Sequence, residues 1–342
     1  MNPWNEFLQT QGARFTESAV QDFGNPQAEL DAATKSLVLA DLSHQGLLEI
    51  EGADAVTFLQ GQVTNDVKLL NGSNSHYTGY CSPKGRLLAL FLAFAHQDHL
   101  HLQFDRALLE PIAKRLRMYV MRSKVTIKDV SESIARFGLA GHDAELLLKA
   151  IFSSIPAAPN ELVTLENGVV LRLPDATGNI PRYQIYTSAE KANELWIALA
   201  SKATKVGKPV WDWLEIQAGI PEIVSATQEA FVPQMVNLDA LDGINFKKGC
   251  YTGQEIVART HYLGKVKRRT QLAHIASKVS PNAGEVLNGS DGSDAGQIVR
   301  SAPSPQGGFD VLAEVRLESL EAGIVGWQGN PLTVQDLPYS LP

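Results

Sequence analysis

Thirteen residues, Lys247-Lys248-Gly249-Cys250-Tyr251-Thr252-Gly253-Gln254-Glu255-Ile256-Val257-Ala258-Arg259, constrain this chain more than any other stretch. Thr252 and Glu255 have the T-x-x-E spacing of a capping box, so a helix is predicted to open at Gly253. Cys250 then lies two residues ahead of the N-cap, near the positive end of the helix dipole, with Lys247 and Lys248 beside it. Both influences favour thiolate over thiol. Gly249 leaves the sulfur unshielded. Past the cap, Glu255, Arg259 and Tyr262 recur at i, i+4 and i+7 as one polar stripe, and Ile256 can turn inward. A helix start with a buried cysteine is the plain alternative. Two lysines and two glycines around one thiol point instead to a functional site, with Cys250, Lys248, Tyr251, Glu255 and Arg259 as its reactive set.

At 342 residues the chain is too long for one ordinary core, and two or three domains are expected. An apolar fraction of 44% and a charged fraction of 20% are those of a soluble globular protein. Met1 to Glu6 show no secretory signal, and the longest apolar run, Leu87 to Ala95, is about half of a membrane helix and reads as a buried strand. No membrane partner is expected. Cys81 and Cys250 make no disulfide framework, which suggests a reducing, cytoplasmic setting. They are also too few for an iron–sulfur cluster, which usually takes four thiolates. No CxxC, HExxH or paired His–Cys spacing suggests zinc, so no metal of its own is expected. His96, His99 and His101 alternate about a strand; only His99 and His101 share a face, and they read as surface histidines.

The net charge of −7 speaks against a general nucleic-acid binder. Positive charge is nevertheless concentrated: Lys114, Arg115, Arg117, Arg122, Lys124 and Lys128 fall within fifteen residues, and Lys265, Lys267, Arg268 and Arg269 within five. Such runs are either solvated faces or an anion site.

Periodicity and turn signals predict a helical lead-in over residues 1–40, broken at Gly24 to Pro26, and a strand at Leu47 to Ile50. A short helix from Asp54 to Gln62 precedes strands at Tyr77 to Cys81, Leu87 to Ala95 and Leu100 to Phe104, the first two joined by a Ser-Pro-Lys-Gly turn. A helix at Leu108 to Tyr119 and a strand at Val125 to Ile127 follow. A second β/α unit is predicted from strands at Ala135 to Ala140, Val169 to Leu173 and Tyr183 to Tyr186. Its helices are Asp143 to Phe152, Ala189 to Ser201 and Val210 to Ala218. After Arg269, short strands between Asn-, Gly-, Asp- and Ser-rich turns indicate a small all-β domain. Strands hairpin more than they cross over, so the class is α+β.

K-G-C-Y-x-G-Q-E followed by A-R, with Pro233-Gln234-Met235-Val236-Asn237-Leu238 and Phe246 upstream, resembles the signature of the YgfZ family. These are folate-binding proteins related to the T-protein, the aminomethyltransferase of the glycine cleavage system. Phe58-Leu59-Gln60-Gly61-Gln62-Val63-Thr64-Asn65-Asp66, Ser82-Pro83-Lys84-Gly85-Arg86, Ser123-Lys124-Val125-Thr126-Ile127 and Leu337-Pro338-Tyr339-Ser340-Leu341 extend the resemblance over most of the chain. It implies a T-protein-like three-domain arrangement around a central channel, with chain exchange between the first two domains. Residues 1–50 with 130–230 would form the first domain. Residues 51–129 with 231–268, carrying the motif, would form the second, and a C-terminal β-barrel would occupy 269–342.

The resemblance also implies tetrahydrofolate as cofactor. Trp211 falls where the family has a folate-contacting tryptophan, although a tryptophan there could equally anchor the core. Gln45 takes the place of a second such tryptophan. Gln217 stands where the T-protein has a pterin-binding glutamate, and offers one acceptor where a carboxylate offers two. Trp211 and Gln217 are about 240° apart on a helical wheel, so at most one points straight at a ligand. Asn65, Gln234 and Asn237, within the family motifs, complete the expected folate set. The strand Leu87-Leu88-Ala89-Leu90 lacks the aspartate that assists one-carbon transfer in the T-protein, and no acid/base can come from it. A Cys250–His261 nucleophile pair is disfavoured by the helix between them.

What the resemblance implies is a monomeric folate-binding protein that supports iron–sulfur enzymes, including those that thiolate tRNA, with Cys250 as reactive thiol. Direct tRNA contact has weak support. A folate-dependent one-carbon transferase with an unidentified substrate is the alternative, and a folate sensor with a structural Cys250 is a third.

Overall fold

In the computed structural model, which describes residues 2–262, 264–323 and 325–342, asparagine caps and prolines start the first two helices. Asn2 and Asn25 each precede a proline, and their side chains accept from Asn5 N at 2.8 Å and Ala28 N at 3.2 Å. The helices are Pro3–Thr10 and Pro26–Lys35. The predicted lead-in is therefore only partly helical. A hairpin of Arg14–Thr16 with Ala19–Asp22 separates the helices, and strand Val38–Asp41 follows. Strands of three or four residues are too short to show a period.

The first sheet runs, in spatial order, Leu162–Leu165, Gly168–Ala176, Ile180–Ser188, Ile134–Ala140, Val38–Asp41 and Thr204–Val206, antiparallel except for the last pair. Both faces are buried, and the alternation is visible residue by residue. Val170 and Ile185 pack with Leu8, Phe137 and Trp196 in an outer cluster, while Val169, Leu171 and Tyr186 face a large inner one.

The second sheet is wholly antiparallel, in the order Ser75–Cys81, Leu87–His96, His99–Asp105, Gln45–Glu51 and Thr126–Asp129. Gln45–Glu51, which the boundary at residue 50 implied by the resemblance leaves mostly with the first domain, hydrogen-bonds into this sheet. Leu87–His96 is buried from Leu87 through Phe94, as its apolar run predicts. Its residues share the inner cluster with those of the first sheet, so the two sheets enclose one core.

Arg268–Ile275, Phe309–Arg316, Asp294–Pro303, Val286–Gly289, Val325–Trp327 and Asn330–Gln335 close into a six-stranded barrel with its own apolar filling. Closure removes the sheet edges. The helix Lys208–Gln217 is buried from Val210 through Gln217. Asp310 of the barrel ties it down, accepting from Trp213 Nε1 at 2.7 Å and Gln217 Nε2 at 3.1 Å, while His274 Nδ1 lies 2.8 Å from its other oxygen. No described helix is long and apolar enough to cross a membrane.

Candidate functional site

The Cys250 motif forms a loop leading into the helix Gln254–Tyr262. The capping box predicted at Thr252 and Glu255 is absent among the described residues. Gln254 N donates instead to Tyr251 O at 3.2 Å and Val257 N to Gly253 O at 3.4 Å. The reason lies at Gly253, whose φ of +83° carries the chain into the helix along a path Thr252 cannot cap. This conformation lets Gly253 lie against the Ser82–Arg86 turn: a Cβ on Gly253 would stand 2.5 Å from Ser82 O and 2.8 Å from Gly85 Cα. Gly249, in contrast, has open space around it.

Cys250 is exposed, and Cys81 is buried, with burial pushing its thiol up to about 12. Lys248 turns away from solvent. Its Nζ donates to Gln60 O at 2.7 Å, Val63 O at 2.6 Å and Asn65 O at 2.7 Å, and lies 5.2 Å from the Tyr251 ring centre. All three N–H donors are thus committed to backbone carbonyls, and the lysine staples the motif to the segment 60–65. Burial also lowers its pKa, to about 8. Tyr251 is buried and its phenol is raised for the same reason, with Cys81 nearby adding to the effect. Glu255 and Arg259 are both exposed, and no ion pair joins them among the described residues. Val257, not Ile256, is the residue that turns inward; Ile256 remains 37% exposed while resting against Gly85. His261 stacks on Phe246 at 3.8 Å between ring centres.

The other motifs converge on this loop from far away in sequence. Asn65 donates from Nδ2 to Tyr77 O and Asp242 O and accepts from Asp66 N, so its side-chain atoms hold backbone. Gln234 Nε2 donates to Val257 O at 2.8 Å, tying the 233–238 segment to the motif helix. Asn237, in the left-handed region at φ +58°, donates to Thr270 O at 2.8 Å. None of these three lines the central cavity, and the amide groups of all three hold backbone. Two arginines of the 265–269 run are likewise ties. Arg269 forms a bidentate pair with Asp239 at 2.6 and 2.9 Å, and Arg268 pairs with Glu314 at 3.1 Å.

The central cavity is a cleft of about 420 Å³ with the open solvent at its mouth counted in, lying where both sheets, the helix Lys208–Gln217 and the barrel meet. Tyr77, Phe104, Leu90 and Leu92 supply apolar surface, and Gln45, Asp105, Glu215, Glu222 and Arg300 supply polar groups. Gln45 donates to Glu222 Oε1 at 3.4 Å, and is the one expected folate residue that lies here. Arg300 bonds Asp212 at 2.7 Å, with Glu222 3.9 Å away, and these carboxylates keep it charged despite burial. Burial raises Glu222 and Asp105 above the usual carboxylate range, with Arg300 opposing the shift in both.

Trp211 does not reach this cavity. It is 1% exposed and packs on Gly138, where a Cβ would stand 2.5 Å from the indole. The Arg182 guanidinium sits 5.8 Å from the centre of the Trp211 ring and 3.0 Å from Glu215. Trp211 therefore positions the arginine that pairs with a cavity carboxylate. Gln217 accepts from Thr177 Oγ1 and donates to Asp310, and faces the barrel. Its neighbour Glu215 is the helix's carboxylate in the cavity. Residues two apart on a helix point roughly 200° apart, which sets Gln217 towards the barrel and Glu215 towards the cavity. Glu215 stands one turn after Trp211, a spacing that could have found it. Asp105, Glu222, Arg300 and Tyr77 come from four separate segments and carry no local signal.

Residues 5–241 match the family of the GCVT N-terminal domain. The chain is 35% identical over 328 residues to the tRNA-modifying protein YgfZ of Enterobacter sp. (strain 638), covering 92% of this chain and 97% of that relative. It is 33% identical over 314 residues to the tRNA-modifying protein YgfZ of Yersinia pestis (strain Pestoides F), covering 89% and 93%. The crystal structure of glycine cleavage system aminomethyltransferase T from Bartonella henselae shares the fold with a TM-score of 0.75, over 98% of this chain and 97% of that one, at 18% identity. With the motifs 58–66, 82–86, 233–238 and 247–259 assembled in one place, the chain belongs to the YgfZ family of tRNA-modifying proteins, built on the GCVT N-terminal domain.

Proposed function

We infer that this chain binds tetrahydrofolate in the central cavity and, through the exposed Cys250, supports iron–sulfur enzymes on which tRNA thiolation depends. The cavity carries the folate reading. It combines apolar and aromatic surface from Tyr77, Phe104, Leu90 and Leu92 with carboxylates at Glu215 and Glu222. A pterin edge presents neighbouring N–H groups, which one carboxylate accepts in pair. The likeness of the relatives supports the tRNA part. On this reading the protein acts as a cytoplasmic monomer, and direct contact with tRNA is secondary to service of a client enzyme.

Titration with tetrahydrofolate tests the site. Glu222→Ala and Gln45→Ala are expected to weaken binding about tenfold or more, equivalent to about 1.4 kcal/mol; unchanged affinity in both folded variants overturns the location. Cys250→Ser, introduced into cells lacking the protein, is expected not to restore tRNA thiolation, and full restoration removes the thiol from the function.

One-carbon transfer to an unidentified substrate is the second reading. The strand Leu87–His96 offers only Leu90 and Leu92 to the cavity, but Asp105 and Glu222 reach it from other segments. Their raised pKa values suit a general acid.

A further inference from the structure

Charge is divided unevenly along this chain. Residues 45–129 and 231–269, which build the second sheet and the Cys250 loop, hold seventeen Lys and Arg against eleven Asp and Glu. The remainder holds thirteen against twenty-six, so an acidic protein carries one basic part, and that part presents the exposed thiol. The helix Leu109–Val120 turns Leu109, Ile112, Ala113 and Leu116 inward. Lys114, Met118 and Met121 follow one another at i, i+4 and i+7 on its outward side. Met118 is 65% exposed and Met121 88%. Met121 also sits at φ +47°, a region that a bulky side chain rarely enters. Lys114, Arg122 and Lys124 alternate with these methionines along the chain, are exposed, and enter no ion pair among the described residues.

Hydrogen bonds connect this stripe to the thiol loop through one short helix. Lys124 N donates to Asp54 Oδ2 at 2.7 Å, and Asp54 immediately precedes the helix Ala55–Gln60. At the far end of that helix, Gln60 O accepts from Lys248 Nζ at 2.7 Å, two residues before Cys250. Gln60 Oε1 accepts there from Val67 N at 2.8 Å, next to the exposed Lys68 and Leu69. Six helical residues span about 9 Å. Val56, on the same helix, is exposed between the two ends.

We propose that the face running from Met118 and Met121 to Cys250 docks the client enzyme, through a client surface with an apolar centre and an acidic rim. This rests on the reading of Cys250 given above. Large apolar side chains left in water among charges mark interaction surfaces, and methionine adapts to the shape of what it meets. Unpaired lysines and arginines draw in carboxylates and fix the orientation of the encounter. RNA would use the same cations, but Met118, Met121, Val56 and Leu69 offer nothing to phosphate and no ring for a base to stack on. The mixture therefore fits an acidic protein surface, and docking there sets the client beside the thiol.

Two variants test this in cells lacking the protein: Lys114→Glu with Arg122→Glu and Lys124→Glu, and Met118→Ser with Met121→Ser. Lys202→Glu with Lys278→Glu, exposed cations outside this face, is the control. Both variants are expected to restore about tenfold less thiolated tRNA than wild type, and the control to restore it fully. Purified, both should keep the wild-type melting temperature, tetrahydrofolate affinity and Cys250 alkylation. A photo-crosslinking residue at position 118 should capture an iron–sulfur tRNA-thiolating enzyme, identified by peptide mass mapping, and the charge reversals should abolish that capture. Full restoration by either variant overturns the proposal; if Cys250→Ser fails to restore in the same cells, the function proposed above stands without it. Should Cys250→Ser restore thiolation as well, that function falls, and the capture at position 118 still decides the docking. Capture of a second copy of this chain, or of nothing, overturns the proposal. So does filter binding of bulk tRNA that the charge reversals abolish, which assigns the face to RNA.

Discussion

Gly253 and Gly85 meet backbone to backbone, both at positive φ: a Cβ on Gly253 would fall 2.8 Å from Gly85 Cα, and one on Gly85 would fall 3.1 Å from Gly253 O. The contact joins the loop that carries Cys250 to the turn 82–86, which leads into the strand Leu87–His96 and, through its Leu90 and Leu92, to the cavity. That turn is itself closed by Gly85 N donating to Ser82 O at 2.9 Å, and Arg86 anchors it by donating to Ala230 O at 2.5 Å.

Gly253→Ala is accordingly expected to destabilise the protein by about 1–3 kcal/mol, the range for a strained left-handed residue, before any clash with Ser82 O is added. Gly249→Ala, with open space around it, should stay within about 0.5 kcal/mol of wild type. Urea unfolding of the two variants checks both. Equal losses would mean that the Gly85–Gly253 contact does not hold the loop.

Trp211→Ala should act on stability and not directly on folate. Removing a fully buried tryptophan costs about 3–5 kcal/mol. Any loss of tetrahydrofolate affinity should follow from release of Arg182, and should be matched by Arg182→Met, which leaves the indole in place. A Trp211→Ala protein with native stability and lost folate binding would put the indole on the ligand.

Iodoacetamide at neutral pH should modify Cys250 and leave Cys81 intact in the folded protein, because alkylation needs an accessible thiolate. Cys81 is buried and its thiol is raised to about 12. Peptide mass mapping distinguishes the two, and early labelling of Cys81 would contradict the packing described.

Acid should weaken the fold through His44. Burial, with Lys208 next, lowers its pKa from 6.5 to about 3. The folded state therefore binds fewer protons than the unfolded chain between these values, so the stabilisation is complete above pH 6.5 and is lost as pH falls from 6.5 towards 3. The loss should be on the order of a few kcal/mol. His44→Asn should flatten the difference in unfolding free energy between pH 7 and pH 5; an unchanged slope would exclude His44.

With the other glycine-cleavage components and tetrahydrofolate, the purified protein is expected to release no ammonia above background, since the strand beyond Arg86 offers only leucines to the cavity. Turnover on the order of 1 s⁻¹ or faster would instead establish transferase chemistry and direct attention to Asp105 and Glu222.

Local pattern determined much of this protein. The strand over Val169 to Leu173, the apolar run Leu87 to Phe94, the Ser-Pro-Lys-Gly turn and the short strands after Arg269 each depend on neighbours in the chain, and each formed as sequence indicates. The motifs also sufficed to assign the family. Which way a side chain faces was another matter. Lys248 sits beside Cys250 in sequence, yet its ammonium is taken by carbonyls nearly 190 residues earlier. Trp211 and Gln217 share a helix with Glu215, but Gly138 and Asp310, on separate elements, claim them and leave Glu215 to the cavity. Glu49 and His101 acquire a relationship only because two strands pair in one register. Spacing along a chain fixes element and face relative to near neighbours. A polar side chain's partner is chosen by the closing of sheets, helix and barrel around it, because burial compels each such group to bond with whatever the tertiary fold brings within reach.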